Sequence, residues 1–180
     1  MDQPNEPLFQ APIRKQLPTV HYTEIGRIVF IFALIEGHLR HIIYTLSGLG
    51  SKRGRLILRN QRAAERIALI KDLAALRKIE LRVNWGLLTS ALKQVESFRD
   101  RFAHAVWIKH PHSKSPVLQD FSTDYIPNIR PGTKPKITPL AVEVPLEKLK
   151  DIRRSAFKLS KQITKLELHV LRTLKTSRRK

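Results

Sequence analysis

The fold is decided by residues 145–176, PLEKLKDIRRSAFKLSKQITKLELHVLRTLKT. Leu149, Ile152, Ala156, Leu159, Ile163, Leu166, Val170 and Leu174 follow at spacings of 3, 4, 3, 4, 3, 4 and 4, which lays them along one side of an α-helix. Pro145 opens that helix, because its fixed φ suits a first turn whose N–H would be unpaired anyway. A seam this regular packs helix on helix.

Three earlier segments carry the same period. Residues 22–47 present Ile28, Phe32, Ile35, Leu39, Ile42 and Leu46, with Ile31, Leu34 and Ile43 on other sides, so this helix is expected to be wrapped by neighbours. Gly48 and Gly50 stop it. Residues 54–79 present Ala63, Ile67, Ile70 and Ala74, and residues 81–105 present Trp85, Leu88, Leu92 and Val95, continuing at Phe102 and Val106. Residues 107–145 hold seven of the eleven prolines, which deny helix; residues 105–109 and 117–121 are expected to pair as a short β-hairpin, with residues 142–144 at its edge. The expected fold is therefore all-α. It is an up-and-down four-helix bundle, with a proline-rich extended excursion before the last long helix. Residues 1–18 read as a flexible N-terminal arm, 19–176 as one helical domain and 177–180 as a basic tail.

Among 180 residues, 34 are Lys or Arg and 15 are Asp or Glu, a net charge of +19; 42% are hydrophobic, which suffices for one core. Cysteine is absent, which excludes a disulfide framework, a thiolate zinc site and a cysteine nucleophile, and agrees with a cytoplasmic setting. The longest apolar run, residues 28–35, is far short of the roughly 20 residues needed to cross a bilayer, so no membrane span is expected. The positive surplus attracts polyanions. Arg55, Arg59, Arg62 and Arg66 recur at the spacing of one helix face, as do Arg154, Lys158, Lys161 and Lys165, which makes two candidate nucleic-acid-binding ridges. An anionic membrane is the competing polyanion, and the narrow seam of the last helix suits it poorly. His38 and His41 lie one turn apart and His110 and His112 flank a proline, but no third ligand stands at a convincing spacing, so neither metal nor cofactor is expected.

Chemistry shows at one place. The stripe Trp85, Leu88, Leu92, Val95, Phe102, Val106 skips a beat, and the residue on that beat is Arg99. A guanidinium among apolar neighbours calls for an acceptor, and Glu36, on the flank of the first helix's stripe, is the candidate partner. Asp100 precedes His104 by four residues and can hydrogen-bond it across one turn, fixing its tautomer. Arg99 lies about 140° around an ideal helix from His104, so the two converge only if the helix unwinds near Ala105 or a second copy of the chain contributes.

The run Arg99, Asp100, Arg101, Phe102, Ala103, His104, Ala105, Val106, Trp107 resembles the R-x4-6-H motif of the HEPN superfamily, small helical bundles found in many prokaryotic toxins and defence systems. The helical order, the alanine before the motif histidine and the tryptophan three after it are similar to a group of uncharacterised bacterial HEPN-like proteins. The family often has Asn after the arginine and Gly after the histidine, where this chain has Asp100 and Ala105. The resemblance implies metal-independent endoribonuclease activity in a cleft shared by a homodimer, with RNA as substrate and, in a toxin setting, an antitoxin protein as a further partner. In that scheme His104 serves as base or acid, Arg99 clamps the phosphate, Asp100 orients His104 and Arg101 guides substrate; Trp107, after the motif, either packs beside the site or stacks a base, and packing is the expectation. The alternative is a non-catalytic module of the same kind that binds nucleic acid or a protein through its basic faces.

Overall fold

The computed structural model describes residues 17–59, 61–104, 106–108, 117–120 and 140–177. Most of the expected arm, the basic tail from 178 and much of the excursion lie outside these residues. Leu17, assigned to the arm, is instead buried beside Ile28, Phe102, Val144, Leu149 and Ile152.

Helix α1 (Thr19–Ser47) begins ahead of its apolar rhythm, with Pro18 as its N-cap, and stops at Gly48, where φ reaches 72°. Arg77 Nε donates to the Leu46 carbonyl at 2.9 Å, satisfying one of the acceptors left over at the helix end. The single helix expected over 54–79 is two: α2 (Ser51–Ile57) and α3 (Ala63–Leu76). The break lets both Leu58 and Ala63 enter the core, and two carboxylates fix it. Glu65 accepts from the Arg62 N–H at 2.9 Å and Glu96, across on the next helix, accepts from the Ala63 N–H at 3.3 Å. Helix α3 ends before Ile79 because Lys78 adopts φ 55° and the Ile79 N–H turns back to the Ala74 carbonyl at 2.9 Å.

Helix α4 (Trp85–His104) is capped by Asn84, whose Oδ1 accepts from the Leu87 N–H at 3.1 Å. Strands β1 (Val106–Ile108), β2 (Val117–Asp120) and β3 (Leu140–Glu143) form an antiparallel sheet in that order, with Trp107 opposite Leu118 and Leu118 opposite Val142. Helix α5 (Leu146–Ser177) closes the molecule.

The helix directions depart from a strict up-and-down bundle. Glu24 pairs with Arg153 and, further along both helices, His38 with Glu167, so α1 and α5 run parallel. Glu36 pairs with Arg66 and the Leu46 carbonyl with Arg77, so α1 and α3 are parallel too. The cause is α2, which carries the chain back along α1 before α3 sets out. Only α4 among the described long helices opposes them: Phe98 near its end meets Lys148 near the start of α5, whereas Leu88 near its start lines one cavity with Leu166.

Ile28, Phe32, Ile35, Leu39, Ile42 and Leu46 are all buried, against Leu149, Ile152, Ala156, Leu159, Ile163, Leu166 and Val170 of α5 and the inner faces of α3 and α4. The wrapping of α1 is nevertheless incomplete, since Val29, Phe30, Ala33 and Leu34 form an exposed strip on its outer side. By length and composition α1 is also the one helix among the described residues apolar enough to cross a membrane, a test that the central helix of a core passes as well.

A Cβ on Gly54 would stand 2.1 Å from the Tyr44 ring, so Gly54→Ala is expected to lower stability by about 1–3 kcal/mol despite alanine's better helix propensity, measured by urea denaturation. His21 is buried with neither ring nitrogen hydrogen-bonded in normal geometry; burial lowers its pKa from the ordinary 6.5, opposed by the backbone at Val144. The unfolded chain then binds the extra proton, and stability falls as pH drops through 6.5. Urea midpoints at pH 7.5 and 5.5 should move in favour of His21→Phe over the parent at the lower pH.

Candidate functional site

Arg99 occupies the core beat of α4, and its side chain is 27% exposed. Its guanidinium carbon lies 4.6 Å above the centre of the Phe32 ring, and one terminal nitrogen is 2.7 Å from Asp100 Oδ1. The cation is thus half sheltered by α1 and paired with its own sequence neighbour. The expected partner, Glu36, is engaged elsewhere: its Oε1 accepts from Arg66 Nη1 at 3.2 Å, because at that level α1 faces α3. Asp100 was expected to orient His104, and in the structure its described partner is Arg99. His104 is the last residue of α4, and its side chain, like that of Trp107 in β1, lies outside the described residues, as does Ala105. Arg101 is exposed. Helix α4 is regular through His104, so no unwinding falls between Arg99 and His104, and the two stay about 140° apart around its axis.

The two basic ridges fare differently. Arg55 lies on α2, Arg59 in the turn after it and Arg62 at the extended N-cap of α3; all three are exposed, on three different pieces of backbone. Arg66 is buried on Glu36. The break between α2 and α3 therefore dissolves the first ridge. On α5, Arg154, Lys158, Lys161 and Lys165 are exposed on one uninterrupted face. Arg154 is neutralised by Asp151 at 2.9 Å and Glu147 at 3.9 Å, and the Lys150 ammonium, hydrogen-bonded to Glu147, holds that carboxyl below its ordinary pKa. Beyond this acidic first stretch, Lys158, Lys165, Arg172 and Lys175 form no ion pair with any described residue, and Lys161 sits 4.6 Å over the exposed ring of Phe157. From Lys158 to Lys175 the row extends about 25 Å along the helix.

Several organising polar residues escape the sequence reading. Glu24 accepts from Arg153 Nε at 2.7 Å and Arg27 Nη1 at 2.9 Å, and one carboxylate, that of Glu167, meets both His38 Nδ1 and His41 Nδ1. A signal existed: Glu24 stands four residues before Ile28, and Glu167 three before Val170, each on or beside a core beat just as Arg99 does. Among the described residues no group of three His, Cys, Asp or Glu side chains is arranged to hold a metal ion; in the Glu167 cluster the two Nδ1 atoms are turned onto the carboxylate itself, and His38 Nε2 lies 3.4 Å from the Thr164 hydroxyl.

Comparison with protein-family models, curated proteins and solved structures finds no match to this chain.

The two kinds of charge separate by mutation. Glu36→Ala strands Arg66 in the core and is expected to cost about 3 kcal/mol of unfolding free energy. Lys161→Ala on the open face of α5 should change it by less than about 0.5 kcal/mol, both read from urea curves.

Proposed function

We propose that this chain binds RNA along the outer face of α5 and cleaves it, as a homodimer, with Arg99 and His104. The observation that carries the binding half is the row of cations from Lys158 to Lys175, which no carboxylate of the described residues neutralises. A column of positive charge about 25 Å long without counter-ions of its own is a footprint for successive phosphates, and its affinity should fall steeply with salt.

Support for the cleavage half is the resemblance at residues 99–107; because α4 stays regular through His104, bringing Arg99 and His104 to one phosphate falls to a second copy of the chain. In the chemistry inferred, His104 accepts the proton of a ribose 2′-hydroxyl as its oxygen attacks the adjacent phosphorus. The bond to the 5′-oxygen breaks, that oxygen takes a proton from a second acid, and the products carry a 2′,3′-cyclic phosphate and a 5′-hydroxyl. Arg99 would hold the charge that grows on the phosphoryl oxygens through its planar donors, exchanging Asp100 for phosphate. A second copy would supply the partner motif, and the exposed strip Val29, Phe30, Ala33 and Leu34 is apolar surface that such a copy could cover.

A second reading, binding without cleavage, is favoured by one observation: Arg99 already has a carboxylate partner and an aromatic shelf, which suffices to explain it as a structural residue. Incubation of total RNA with the protein in EDTA, beside His104→Ala, decides between the two. Fragments ending in cyclic phosphate, reduced at least a hundredfold in the variant, are expected for the enzyme; intact RNA that shifts in a salt-sensitive binding assay establishes the module. Sedimentation should show a dimer that Phe30→Glu converts to monomer without loss of helical circular dichroism.

A further inference from the structure

Beside the cationic row of α5 lies a cavity of about 470 Å³, between the start of α4 and the middle of α5. Leu88 and Leu166, both buried, form its apolar base, and the largely exposed Leu87 adds apolar surface at its edge. Its polar lining is Gln162, whose amide has no hydrogen bond to a described residue, Asn84, whose oxygen caps α4 and leaves its amide N–H groups to donate, and His169, whose Nε2 lies 3.2 Å from the Glu80 carbonyl, with Lys165 and Arg82, the latter 3.7 Å from the Glu80 carboxylate, as its cations. Lys165 belongs both to this lining and to the cationic row, so the cavity opens directly off the phosphate-binding face. The volume lies within the range of about 300–1,000 Å³ usual for small-ligand sites. An apolar base, amide donors and acceptors, and flanking cations together suit a nucleobase attached to phosphates.

We propose that this cavity captures one unstacked base of a single-stranded RNA whose backbone runs along the lysines of α5. The inference rests on the RNA-binding reading above and adds the form of the substrate. A base stacked in a duplex cannot enter the cavity without leaving its helix, so the site discriminates against double strands. Specificity comes from the amides, and the lysines contribute the salt-dependent share.

The test uses the full chain carrying His104→Ala, so that RNA stays intact, and a fluorescein-labelled 12-nucleotide RNA followed by anisotropy over a salt series. The same RNA is measured single-stranded, annealed to its complement, and with every position abasic. Single-stranded RNA is expected to bind at least tenfold tighter than the other two, and the double variant Leu87→Ala, Gln162→Ala to lose on the order of ten- to a hundredfold, the loss of one base contact, with its salt slope unchanged. Replacing Lys158, Lys161 and Lys165 by alanine should instead lower the slope by about 2, at roughly 0.7 per phosphate contact on a single strand. Equal affinity for the three ligands, with the cavity variant indifferent and the lysine variant weakened, overturns base capture and leaves RNA binding standing. Absence of binding to all three at low salt overturns both. The comparison with abasic RNA needs no substitution in the cavity, so a variant that failed to fold would not blunt the test.

Discussion

Ile28, Phe32, Ile35, Leu39, Ile42 and Leu46 leave water only because α5, α3 and α4 close around α1, and apolar burial of that kind is non-directional: it favours contact without choosing how far each helix slides along its neighbour. The choice falls to polar pairs at the edges of the stripe. Glu24 on α1 meets Arg153 on α5, Glu36 meets Arg66 on α3, Phe32 carries Arg99 of α4, and His38 with His41 takes Glu167 of α5. Each of these contacts has one foot on α1. Partly buried pairs add little net stability against their desolvation, but they penalise a shifted register, because a slip leaves a charge stranded among apolar neighbours.

Parallel running of α1, α3 and α5 follows from one short return. Gly54 allows α2 to lie against Tyr44, closer than any side chain would permit, and the chain thereby regains the level of Glu36 before α3 begins. Helix α4 then has room to descend between α3 and α5. That descent sets the start of α4 against the cationic stretch of α5, which creates the cavity beside Lys165, and sets its end, with Arg99 and His104, toward the sheet and the first turns of α5.

Periodicity made the four apolar stripes readable, and proline spacing confined the strands to segments that contain β1, β2 and half of β3. The break at 58–62 was not readable from the stripe, because the stripe begins only at Ala63, after it; it depends on Glu96, distant in sequence, reaching the Ala63 N–H. The end of α3 was hidden for a related reason, since a lysine, Lys78, holds the left-handed position that a glycine usually marks. At the candidate site the skipped beat at Arg99 was visible as an anomaly, whereas its partner was not. Choosing between Glu36 and Asp100 requires knowing which helix lies opposite Glu36, and that is a property of the topology. The same dependence turned four evenly spaced arginines from an apparent ridge into three scattered surface charges and one buried ion pair.

The clamp between α1 and α5 joins residues 126–129 positions apart, with the whole of α2 to β3 between them. During synthesis at about 5–20 residues per second, α1 emerges several seconds before the helix that covers most of it. The most apolar of the described helices therefore spends that interval with its stripe only partly covered by α3 and α4, and bundle formation is gated by completion of α5. A nascent chain of this design is a natural client for chaperones that hold apolar helices, and its folding yield should respond to the rate of elongation through the proline-rich excursion more than to substitutions within it.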